Sequence, residues 1–298
     1  MKKANDKGRE QWMDFFTFLW GTMLLGCKRR KNRIKIYNID QTIDLLLESK
    51  KSIARFGDGE MALIRGSSIR FQKYNGVLAR RLKEVLASDQ KHCFVGITPT
   101  INKIWDLRPY ARSFWTENML QNYDWWIANL KGTQYCTANI TRPYIDYRNR
   151  KNSARWFYKL RKLWDGRKIV IVEGEGTRFG IGNKLVNNAL EIKRIICPST
   201  NAFDKYDMIL EVIKKYDKQH LILLALGPTA TVMAYDLAQL GYQAIDIGHC
   251  DLEFEWFRKK VKDKEKVKGK FTNEVRGGGR VENCNSRKYK EQIAAIVK

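Results

Sequence analysis

Two stretches of this chain, Ile169-Val170-Ile171-Val172 and Leu221-Ile222-Leu223-Leu224-Ala225-Leu226, are apolar at every position. A strand with one wet face alternates polar and apolar residues. A strand covered on both faces does not, so these runs fit a parallel sheet lying between layers of helices. Lys168–Val172, His220–Leu226, Ile53–Phe56, Cys93–Ile97, Arg194–Cys197 and Gln243–Ile247 all read as strands. Helical patterns fall between them at Asn183–Ile192, Asp204–Tyr216 and Thr229–Leu240. This alternation predicts an open α/β sheet. Most of the runs stop at glycine or proline, and ligands of such sheets bind beyond the carboxyl ends of the strands.

With 298 residues the chain can bury one large core or two modest ones. Its 44% hydrophobic and 12% aromatic content is that of a folded protein. The net charge of +24 is the outlier. It suits nucleic acid, an anionic membrane surface or phosphorylated substrates, and composition does not choose among them. Six cysteines without a Cys-x-x-Cys pair, and only 3 histidines, argue against a disulfide framework or zinc site. A reducing, cytoplasmic setting fits best.

Residues 1–35 form an apolar and basic N-terminal segment. Its run Phe15–Cys27 is too short to span a bilayer. Asp6, Glu10 and Asp14 before it, and Lys28-Arg29-Arg30-Lys31 after it, argue against export. A helix packed on the body and an interfacial anchor touching anionic lipid at the inner face of the plasma membrane both remain open. Residues 36–259 read as one catalytic domain. Within it, Lys103–Leu163, rich in Trp, Tyr and Arg, looks like a helical insertion. Residues 260–298 read as a basic tail whose Gly277-Gly278-Gly279 implies a mobile loop.

The strand Ser52–Arg55 breaks at Phe56-Gly57-Asp58-Gly59-Glu60. Two acids one residue apart at a strand end can aim at one point. They suit a hard divalent cation that also takes substrate phosphate oxygens. Asp-Gly is equally a common turn. A second elbow, Gly174-Glu175-Gly176-Thr177-Arg178, follows the strand at Lys168 and could bring backbone N–H groups to a phosphate. It is no dinucleotide fingerprint, because Phe179 takes the place of the third glycine. No Walker lysine pattern is present either.

At Leu226-Gly227-Pro228-Thr229, helix capping by Thr229 alone explains the turn, and a phosphate or sugar could share it. His249, Asp251, Glu253 and Glu255 cluster after the last strand, where one of them could deprotonate a hydroxyl. Asp251 could equally cap the next helix, with Glu253 and Glu255 solvated in its first turn. The aromatic stripe Trp156, Leu160, Leu163 and Trp164 reads as core.

Together these segments resemble the GT-D-type glycosyltransferases, bacterial metal-dependent sugar transferases with a Rossmann-like, mostly parallel sheet flanked by helices. The blocks that carry the likeness are Arg55–Glu60, Thr141–Asp146, Glu173–Gly180, Cys197–Phe203, Leu226–Ala230 and Gly248–Glu253, extending weakly into Thr272–Val275. The resemblance implies that Asp58 and Glu60 hold Mn²⁺ or Mg²⁺ against a donor diphosphate. It implies a UDP-sugar donor, UDP-glucose among the candidates, and a glycan acceptor on a protein or lipid. Nucleotide contacts would come from Gly57, Gly174, Glu175, Gly176, Thr177, Asn201, Ala202, Phe203, Gly227, Pro228 and Thr229. Arg55 or Arg178 would stabilise charge on the leaving diphosphate, and one of His249, Asp251, Glu253 and Glu255 would act as base. No nucleic-acid module is visible. Two rivals are a basic binding module without catalysis and a phosphate-ester hydrolase using the same acids.

Overall fold

A computed structural model describes residues 19–282 and 284–298. Phe15–Phe18, and the acids at 6, 10 and 14, lie outside the described residues; residues 19–31 are helical. No helix among the described residues is long and apolar enough to cross a membrane.

Among the described residues nine strands form one sheet in which every pairing is parallel. They are β1 (Lys35–Ile36), β2 (Ser52–Arg55), β3 (Cys93–Ile97), β4 (Gln134–Thr137), β5 (Lys168–Gly174), β6 (Glu191–Cys197), β7 (Leu221–Ala225), β8 (Gln243–Asp246) and β9 (Ile293–Ile296). Their order across the sheet is β1-β4-β3-β2-β8-β7-β5-β6-β9.

The continuous apolar runs split between two cores, as period-two geometry requires. Val170, Val172, Ile222 and Leu224 join one core; Ile169, Ile171, Leu221 and Leu223 join the other. The first core is covered by α3 (Gly76–Leu86), α4 (Pro109–Asn129), α6 (Tyr206–Ile213) and α7 (Pro228–Gln239). The second is covered by α1 (Ile39–Ser49), α5 (Ser153–Arg161) and α8 (Cys250–Arg258). A short α2 (Asp58–Ile64) follows β2, and α9 (Arg287–Gln292) precedes β9. Each fully buried Ile or Leu contributes about 1.5–3 kcal/mol, so these runs anchor the fold.

Three expectations change. The helix expected at Asn183–Ile192 does not form: the segment is a chain of turns that runs into β6. Its backbone bonds outward, Asn188 O accepting from Gly166 N and Leu190 N donating to Arg167 O, while Leu185 O accepts from the Trp164 indole. The Lys103–Leu163 region is not purely a helical insertion, because β4 within it pairs with β3 and β1. The segment 260–298 folds back on the body: Phe271 N donates to Gly176 O, and β9 adds to the β6 edge.

Candidate active site

Neighbouring β2 and β8 run parallel, but the helices after β2 pack on one face of the sheet and α8 after β8 on the other, so a crevice opens between their carboxyl ends. The ends of these two strands are pinned together. The Arg55 guanidinium donates to Asp246 O at 2.6 Å, to Asp246 Oδ1 at 2.8 Å and to Ala138 O at 3.1 Å. Thr231 Oγ1 donates to Arg55 O at 3.0 Å. Gly248 has φ +46°, and a Cβ there would lie 2.1 Å from Arg55 Nη2, so glycine is required for this arginine to reach across.

Beyond these ends lies a cavity of about 560 Å³. Gly57 caps α2 in extended conformation, which places Asp58 and Glu60 in the helix's first turn, and both line the cavity. Glu60 Oε2 accepts from Gly57 N at 2.8 Å. Burial pushes the Glu60 carboxyl up to about 7, with the Gly57 N–H opposing and the Asp246 and Asp58 carboxylates adding to the rise.

No group of three or more His, Cys, Asp or Glu among the described residues could hold a metal by itself. Two hard carboxylates on one wall still fit a cation of the Mg²⁺ or Mn²⁺ type, which completes its shell with phosphate oxygens and water. Crowding of Glu60 by Asp58 and Asp246 is repulsion that such a cation relieves.

His249 follows β8 and also lines the cavity. Its Nε2 lies 2.8 Å from Asn273 Oδ1, and its Nδ1 lies 3.4 Å from Glu274 Oε1. Burial holds the imidazole below its ordinary pKa; Glu274 opposes this and Arg142 adds to it. Arg142 forks onto Glu274 at 2.6 and 3.0 Å and reaches Asp146 at 3.2 Å. Lys264 reaches Glu274 at 2.6 Å, and the Tyr110 hydroxyl bonds to Asp146. Although burial pushes Glu274 up, Arg142, His249 and Lys264 outweigh it and hold the carboxylate well below its usual range.

The other candidate bases offer the cavity no open carboxylate: Glu253 and Glu255 do not line it, and the one Glu253 oxygen without a hydrogen bond, Oε1, is buried. Asp251 touches the wall, but it accepts from Gly180 N and Asn183 Nδ2 and pairs with Lys270 at 2.5 Å. Glu253 is fully buried and accepts from Tyr144 N and Ile145 N; burial pushes it up to about 7, which Arg142 partly offsets. Glu255 is buried against Asn183 and Lys270. These three hold loops in place behind the cavity.

The two arginines expected at the diphosphate are likewise engaged. Arg55 is committed to Asp246. Arg178 turns away, donating to Gly269 O at 2.8 Å and to Glu282 O.

Of the expected nucleotide contacts, Gly57, Gly174, Thr177, Ala202 and Gly227 line the cavity. Glu175, Gly176, Asn201, Phe203, Pro228 and Thr229 do not. Glu175 is exposed, Gly176 receives Phe271, and Phe203 packs on Tyr206. Asn201 N donates to Phe71 O and its side chain accepts from Lys73 N, which steadies the loop that brings Phe71 to the cavity. Pro228 and Thr229 are buried at the start of α7, where the Thr229 hydroxyl finds no partner. Sequence reasoning gave no role to Arg142, Asp146, Lys264, Asn273 and Glu274. Arg142 and Asp146 lay in a block of the resemblance and Asn273 and Glu274 in its weak extension, which was the available signal; Lys264 lay in neither.

An open parallel sheet whose strand-end turns and paired carboxylates surround one cleft defines an α/β protein that takes its ligand at the carboxyl ends. A family model described as "Glycosyltransferase GT-D fold" matches residues 53–275, and the chain belongs to this family. It is 38% identical over 266 residues to "Probable glycosyl transferase Gly" of Streptococcus gordonii, covering 89% of this chain and 39% of that protein. It is 35% identical to "Glycosyltransferase GlyD" of Streptococcus pneumoniae, covering 89% of this chain and 33% of that protein. The chain thus spans about two-fifths or one-third of these relatives' lengths.

Among solved structures, "A New Glycosyltransferase (DUF1792) from Streptococcus sanguinis" matches at TM-score 0.85 and 38% identity, over 89% of this chain and 100% of that one. Another, described as a domain of unknown function 1792 with a distinct glycosyltransferase fold, matches at TM-score 0.86 and 39% identity, over 91% and 98%.

Proposed function

We propose that this protein transfers a hexose, glucose by preference, from a UDP-sugar to a hydroxyl of a protein- or lipid-linked glycan. Nucleic acid is not its ligand. One observation carries the reading: Asp58, Glu60 and His249 open on a single cavity that glycine turns from β5 and β7 also border.

Asp58 and Glu60 would hold Mn²⁺ or Mg²⁺, which when bound supplies positive charge at the donor's diphosphate. Gly227, at φ +57°, makes room for the Phe71 ring and Gly174 for the Ser199 backbone, so both turns that border the donor half are packed from behind. His249 takes the proton of the attacking hydroxyl; burial keeps its ring neutral at neutral pH, and Asn273 orients it. The surrounding apolar groups, Phe56, Phe71, Leu226 and Phe271 among them, exclude competing water.

A thermal-shift panel across UDP-, GDP-, CMP- and dTDP-sugars, with Mn²⁺ or with EDTA, tests this reading. A rise of several degrees in Tm confined to UDP-sugars and requiring the ion is expected. An equal rise in EDTA, or none with any donor, overturns it.

A further inference from the structure

The cavity is wider than a nucleotide site needs. Its lining runs past the ends of β4, β3, β2, β8, β7, β5 and β6. At about 4.8 Å per strand, those six intervals span roughly 29 Å. Asp58, Glu60 and His249 stand near the middle, after β2 and β8. The residues read above as donor contacts, Gly227 after β7, Gly174 at the end of β5 and Ala202 after β6, all lie on one side. The β3–β4 side has no occupant in that reading.

Two properties of the β3–β4 side point to its ligand. The first is charge. Arg142 and Lys264 are both paired with Glu274, and Arg142 also with Asp146. Cations already matched by anions offer hydrogen bonds without attracting a charged ligand. The second is the wall formed by α4. Tyr110 and Phe114, one helical turn apart, both border the cavity. Tyr110 is committed: its hydroxyl bonds to Asp146, and Arg108 and Lys264 lie over its ring. Phe114 is 49% exposed and, among the described residues, meets another ring edge-on at Trp115. Phe114 thus leaves part of its ring bare on the α4 wall of the cavity. A phenyl face beside neutralised hydrogen-bonding groups complements a sugar ring, whose C–H face is apolar and whose edge carries hydroxyls.

We propose that the β3–β4 half of the cavity is the acceptor subsite, where Phe114 stacks on the terminal ring of a neutral glycan and directs its hydroxyl toward His249. Asn139, Arg142 and Asp146 receive the remaining hydroxyls. This rests on the reading of the other half as the donor site.

Saturation-transfer NMR on the full chain, with UDP and Mg²⁺ present and with cellobiose, lactose or N,N′-diacetylchitobiose as probe, tests the proposal. At least one disaccharide should receive saturation at its ring C–H protons. Phe114→Ala should weaken that binding tenfold or more, and Phe114→Trp should restore it. In transfer assays Phe114→Ala should raise acceptor KM by a similar factor while donor KM keeps its wild-type value. Binding by Phe114→Ala equal to wild type, or no saturation of any of the three sugars, overturns the proposal. Failure of the donor reading is seen separately, as the absence of any UDP-dependent Tm shift in the same wild-type samples.

Discussion

At Glu60 two demands meet on one carboxylate. It accepts the Gly57 N–H, and burial with two neighbouring acids raises its pKa to about 7. A cation needs the ionised form, so below that pH it must displace a proton. Mn²⁺ affinity measured by calorimetry should therefore rise with pH up to about 7 and then level off. Well below that pH it should fall about tenfold per unit. An affinity flat from acid to neutral pH would exclude Glu60 as a ligand. That Asp58 and Glu60 share one wall was legible in the sequence, because the strand before them ends in glycines that turn both acids beyond its carboxyl end, although Asp-Gly is equally a common turn. Asp251, Glu253 and Glu255 were not separable from His249 in the same way. Their spacing suggested a solvated helix face, whereas α8 is buried at every position from Cys250 to Trp256. Acids inside such a helix find partners from distant loops, and local sequence does not name those partners.

Among the elements, β5 and β7 could be read directly, since continuous aliphatic runs have few other uses. β1, β4 and β9 could not. They are two to four residues long, and Gln134-Tyr135-Cys136-Thr137 carries no pattern that separates a strand from a loop. The segment 264–282 is the larger lesson. Its lysines and glycines look like a solvated tail, yet it delivers Lys264, Phe271, Asn273 and Glu274 to the cavity. Arg70 on the facing loop clasps it by donating to Asn273 O at 2.7 Å. A turn from Thr272 to Gly278 sets its shape, and a Cβ at Gly278 would lie 2.1 Å from Thr272 O. Gly278→Val should open this turn and withdraw Glu274 from Arg142 and His249. We expect turnover to fall at least about tenfold, as for loss of a positioning contact, with Tm lowered by only a few degrees. Wild-type turnover in this variant would show that the turn does not position the site.

For the whole molecule the net charge of +24 is the dominant field. The cavity neutralises most of its own cations, so the excess lies elsewhere. Part of it flanks the helical residues 19–31, where Trp20, Met23 and Leu24 are exposed beside Lys28, Arg30 and Lys31. Apolar side chains next to cations favour an anionic bilayer surface, at about 1 kcal/mol per basic residue near the membrane. The protein should sediment with vesicles rich in anionic lipid and be released by salt; equal binding to neutral vesicles would count against this. The parallel sheet has a separate kinetic consequence. Because β9 pairs with β6 and residues 264–282 wall the cavity, a nascent chain lacking them carries an unpaired strand edge and an open cleft. The cavity therefore cannot be completed during early translation. Any chaperone that shields this protein on the ribosome has most reason to cover β6 until the residues that complete it emerge.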